Sequence, residues 1–172
     1  MGHVRERLAI ASLVFVCSAA ALAGGSGGSF GVKDSSPPTG SNLRRNIVEG
    51  DLPFDKRYDE LTPAQRELFK SRYEPMGADD EPPFPVDGLG PLMLALQKGA
   101  VRYDVRGTLD MSVMIGPDGT PTAVSAYETP GDDRFTKFAA TILMVQKYKP
   151  AVCGGRPCQM AFPVQVTFHD HD

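Results

Sequence analysis

At 172 residues the chain has room for one domain of ordinary size plus additional segments. Its 41% apolar and 23% charged content is that of a soluble globular protein, and 18 glycines with 15 prolines reserve part of it for loop or linker. A formal net charge of -3 supplies no overall basic field, which argues against nucleic acid as a partner.

The N-terminus reads as an export signal. Arg5 and Arg7 precede Leu8 to Ala23, sixteen residues without a charge that end in Ala21-Leu22-Ala23 before Gly24. A basic start, a short apolar run and a small-residue ending are the parts of a secretory leader, here cleaved after Ala23 to release a periplasmic protein. The alternative is a retained inner-membrane anchor, but sixteen residues fall short of the roughly 20 that cross the hydrocarbon core. Cys17 follows Phe15-Val16, not the small residues that a lipid-attachment site needs. Residues 24–59 open with Gly-Gly-Ser-Gly-Gly-Ser, show no sustained apolar period and read as a flexible tether.

A helical extension is predicted within residues 60–81. Thr62-Pro63-Ala64-Gln65 is a capping box with proline in the first turn, and the helix runs to Tyr73 with Leu61, Leu68, Phe69 and Tyr73 on one side. Asp79-Asp80-Glu81 reads as a solvated acidic loop, and the prolines of Pro82-Pro83-Phe84-Pro85 favour extended backbone. A short helix is predicted from Pro91 to Lys98, closed by Gly99. The period then changes. Leu109, Met111, Val113 and Ile115 alternate with polar residues as a half-buried strand, Gly116-Pro117-Asp118-Gly119 turns, and Thr120 to Tyr127 returns. Asp132 and Asp133 stand at the mouth of a helix whose apolar face is Phe135, Phe138, Ala139, Ile142 and Leu143, stopped by Pro150. Phe162, Val164, Val166 and Phe168 share one face of a last strand.

With Cys17 inside the leader, Cys153 and Cys158 remain as an even pair in an oxidising compartment. Their Cys-Gly-Gly-Arg-Pro-Cys segment is a turn, and a structural disulfide is the preferred reading. The alternatives are a redox pair, for which the spacing is not C-x-x-C, and a half metal site, for which no second cysteine pair exists.

From residue 82 to 169 the order helix, strand, strand, helix, strand gives an α+β fold. Two helices would cover one face of a three-stranded antiparallel sheet of order second, first, third, with the extra N-terminal helix and the tether outside it. The last strand is then an edge. Pro163 blunts its beginning, while Val164, Gln165, Val166, Thr167 and Phe168 carry no such block.

These residues resemble the TonB C-terminal domain family over about Pro82 to Phe168. The resemblance rests on Pro83-Phe84-Pro85, the strand-turn-strand around Pro117-Asp118-Gly119, Tyr148-Lys149-Pro150-Ala151, Gly155-Arg156-Pro157 and the run Phe162 to Phe168. It implies a periplasmic module that binds an extended peptide of an envelope partner, such as an outer-membrane transporter, by adding a strand beside Val164–Phe168. Gln165 and Thr167 would flank the peptide. Energy transducers of that family keep a membrane helix and a long proline-rich tether, whereas residues 24–59 would span only about 30–35 Å if flexible.

Nothing points to an enzyme or a cofactor. There is no G-x-S-x-G and no H-E-x-x-H, and no histidine neighbours Cys153. His169 and His171 would share a face if the strand continued, but a solvated tail over residues 170–172 is preferred to a metal site. Three functions stand: a soluble peptide-binding adaptor, an anchored TonB-type transducer, and an envelope module that self-associates through its edge as a homodimer.

Overall fold

The computed structural model describes residues 30–32, 42–43 and 52–169. The leader Leu8–Ala23, most of the tether, and Asp170–Asp172 with His171 lie outside the described residues. In chain order the elements are β1 (Phe30–Val32), a 3₁₀ turn (Tyr58–Glu60), α1 (Pro63–Lys70), β2 (Phe84–Pro85), α2 (Gly90–Tyr103), β3 (Gly107–Ile115), β4 (Pro121–Glu128), α3 (Asp133–Val145), β5 (Tyr148–Lys149), β6 (Ala151–Cys153), β7 (Arg156–Cys158) and β8 (Met160–Phe168). The fold is α+β, with antiparallel pairing of β3 to both β4 and β8.

The main sheet has four strands, ordered β1-β4-β3-β8, where the sequence suggested three. The addition is β1, which pairs in parallel with β4 in the register Phe30↔Val124 to Val32↔Ala126. Three residues centred on a glycine carry no alternation, so this strand has no signature of its own. The reading of residues 24–59 as a free tether is corrected at further points. Leu43 bridges Tyr73, and Leu43, Leu52 and Tyr58 are buried in the core. Single apolar residues between polar ones show no period, yet each finds a place against the body.

Thr62 caps α1 as its chemistry dictates: its hydroxyl accepts from the Gln65 amide, and the Gln65 side chain accepts from the Thr62 amide. The helix closes at Lys70, short of Tyr73. α2 outruns the prediction, continuing through Gly99 to Tyr103 and ending on Asp104 with a left-handed φ of 50°. Gly99 is not a terminator here. A methyl group at that position would collide with the Phe138 ring, so the missing side chain lets α2 and α3 meet. α3 begins on Asp132, whose carboxylate accepts from the Arg134 and Phe135 amides. It ends at Val145, ahead of Pro150, because β5 turns away to pair with β2.

β6 and β7 form a small hairpin through Gly154 and Gly155, both at positive φ, as a two-residue turn of matching twist requires. Cys153 and Cys158 are joined by a disulfide, with Cα atoms 5.8 Å apart. The acidic loop is not merely solvated. Asp80 accepts from the Gly77 and Gly154 amides, and Glu81 bridges Val152 and pairs with Lys149 at 2.7 Å.

Two aromatic clusters hold the core. Phe69, Phe84, Tyr148 and Phe162 stack at 5.3–6.3 Å, with Tyr58 against Phe84 and Tyr73 against Phe69. Phe135 joins Tyr103, Phe138 and Phe168 in the second. Each ring pair adds about 0.5–1.5 kcal/mol beyond its burial.

Candidate partner-binding site

β8 closes one side of the main sheet. Among the described residues, no strand pairs with its outer edge, while β1 covers the opposite edge at β4. The strand is anchored from within. Its inward face is Met160, Phe162, Val164, Val166 and Phe168, matched across the ladder by Ile115, Val113, Met111, Leu109 and Gly107. Phe162 sits in the first aromatic cluster and Phe168 in the second, so both ends of the strand are pinned.

The five edge residues named from the sequence lie consecutively here. Val164 and Phe168 are buried, Val166 is half-buried, and the Gln165 and Thr167 side chains are exposed. All five line one of two adjoining clefts between β8 and the elements beside it. The first, of about 230 Å³, lies among Leu52, Phe54, Arg72, Met93 and the stretch Phe162 to Val166. The second, of about 520 Å³, lies between Leu94, Val101 and the strand end at Val166 to His169. Gln97 and Val166 line both, so the two run on into each other.

Several lining residues escaped the sequence reading. Phe54, Leu94 and Val101 are large apolar side chains left 58%, 51% and 58% exposed, and all three face the clefts. Leu94 and Val101 stand seven residues apart on α2, a spacing that places them on one face. That signal was legible once the helix extended past Gly99. Phe54 and Arg72 had no comparable signal, because they flank helices of the N-terminal extension.

Asp110 stands opposite Gln165 in the ladder, on the sheet face away from Leu109 and Met111. Its desolvation, helped by Glu128 across β4, pushes its carboxyl up to about 6. Ser112 shares that face and its hydroxyl lies 2.7 Å from the Tyr127 hydroxyl. His169 is exposed at the end of β8, and no group of three or more metal-ligating side chains occurs among the described residues. None of the described helices is long and apolar enough to cross a membrane. The arrangement offers backbone hydrogen bonds and apolar surface.

Residues 98–169 match the family described as Gram-negative bacterial TonB protein C-terminal. No curated protein and no solved structure matches the chain. Domains of that family are periplasmic and interact with envelope proteins such as outer-membrane transporters. The matched span takes in the end of α2, the β3–β4 hairpin, α3, the disulfide hairpin and β8. The match supports a TonB C-terminal domain over residues 98–169.

Proposed function

We propose that this protein is a periplasmic binding module, not an enzyme, and that it takes an extended peptide of an envelope partner as an added strand along Val164–Phe168. The unpaired outer edge of β8 carries the reading. Pro163 lies inside a regular nine-residue register with β3, which it tolerates best where its nitrogen faces away from that neighbour. Alternation then turns the backbone groups of Gln165 and Thr167 outward too, free to pair with a peptide. The two adjoining clefts along the strand supply apolar surface for the alternate side chains of such a peptide.

Export with cleavage after Ala23 fits a soluble adaptor better than an anchored transducer. The six residues between Ala23 and Phe30 span at most about 22 Å. An anchor would thus hold the sheet near the membrane surface, because Phe30–Val32 is already paired to β4. The Cys153–Cys158 disulfide is in keeping with an oxidising compartment.

The test has two parts. Intact mass of the native protein, recovered from a periplasmic fraction, is expected to begin at Gly24; an intact Met1 in the inner membrane would favour the transducer. Pull-down from outer-membrane extract is expected to retain a transporter with the wild-type chain and to lose it with Gln165→Pro. Retention unaffected by that substitution would overturn the edge-docking mode.

A further inference from the structure

One charged side chain in the first cleft has no charged partner among the described residues. Arg72 follows α1, in the N-terminal extension outside residues 98–169, and lines the cleft together with Phe162, Pro163 and Gln165. Its guanidinium lies over the Phe69 ring at 6.0 Å. Its Nε is buried and has no hydrogen-bond partner, and no carboxylate among the described residues pairs with it. A guanidinium stays charged when partly desolvated, and a carboxylate arriving in the cleft offsets that cost.

The surroundings point the same way. The residues lining the two clefts include Arg72, Lys98 and His169 and no aspartate or glutamate, although the chain as a whole carries a net charge of -3. Arginine presents a rigid planar fork that matches a carboxylate through parallel N–H bonds, so Arg72 selects geometry as well as charge.

We propose that Arg72 is a carboxylate-recognition residue, and that the extended peptide adding to β8 carries an aspartate or glutamate side chain that pairs with it beside Pro163–Gln165. This rests on the edge-docking reading above and gives that edge a chemical preference. The N-terminal extension thereby takes part in choosing the partner, and the matched domain supplies the strand.

A randomised library of displayed peptides, panned on the full chain, tests both levels. Wild type is expected to enrich apolar-alternating sequences with an acidic residue at one fixed place. Arg72→Gln is expected to keep the alternation and lose the acidic position, and Gln165→Pro to enrich nothing. In direct binding, changing the acidic residue of an enriched peptide to its amide is expected to weaken wild-type affinity roughly tenfold, in line with a charge-assisted hydrogen bond. The same change is expected to leave Arg72→Gln unaffected. The peptide comparison on wild type needs no altered protein, so it decides even if Arg72→Gln folds poorly. Enriched sequences without an acidic position, or equal binding of the acid and its amide, would overturn the Arg72 assignment and leave the edge reading standing. Enrichment that survives Gln165→Pro, or none on wild type, would remove both.

Discussion

Tyr73 carries its ring into the first aromatic cluster and its hydroxyl with it, where that hydroxyl finds no partner. A buried, unpaired hydroxyl costs free energy that a plain ring avoids. Tyr73→Phe is therefore expected to raise stability by about 1 kcal/mol, read as a higher urea midpoint with an unchanged slope. Asp110 makes a different prediction, because its folded pKa of about 6 lies above the usual 3.8. The native state holds that proton more tightly than the unfolded chain, so stability falls as the pH rises from about 4 to about 6. Asp110→Asn removes this slope. It is expected to be the more stable protein at neutral pH, by less than about 1 kcal/mol for so screened a carboxylate, with the advantage gone below pH ~4. Parallel denaturation series across that range check the sign. Gly99 offers a third test. Helix propensity alone would make Gly99→Ala stabilising by about 1 kcal/mol, but the Phe138 ring occupies the space. Overpacking of this kind costs about 1–3 kcal/mol, so a lowered melting temperature is expected.

At the scale of elements, the sequence was legible wherever a local rule acted alone. The Thr62 capping box, the Asp132 cap and the alternation along Leu109–Ile115 and Phe162–Phe168 each follow from neighbours within a few residues. The glycine at 99 misleads because its reason lies on another helix. Pro83-Phe84-Pro85 reads as extended backbone, but only the pairing of β2 with β5 and the cluster around Phe84 show what the extension serves. The edge strand was legible as an edge from connectivity. Arg72 and Phe54 were not, since nothing local marks a side chain that a distant strand will border. The disulfide hairpin lies outside both clefts. Replacing Cys153 and Cys158 together with serine is expected to lower stability by about 2 kcal/mol, as the short loop permits, and to leave peptide affinity unchanged. Chemical denaturation and a binding titration on the same sample check both halves.

For the whole molecule, the informative contrast is between the two sides of the main sheet. One side has taken a strand from the chain's own N-terminal region, in parallel, at Phe30–Val32. The other ends in β8. Exposed edges of this sort invite pairing with any available backbone, and many proteins blunt both. Here Pro163 and the residues around Leu52 and Phe54 crowd the beginning of β8, while Gln165 and Thr167 stand exposed toward its end. The other border of the sheet is β1, only three residues long, so it offers little backbone for successive strand pairing. Two copies meeting through β8 would use the same patch on each and close on themselves about a two-fold axis. Light scattering at rising concentration is therefore expected to level off at no more than twice the monomer mass. By lending three of its own residues to the far border, the chain leaves only a stub there, too short to template a fibril as a long edge would.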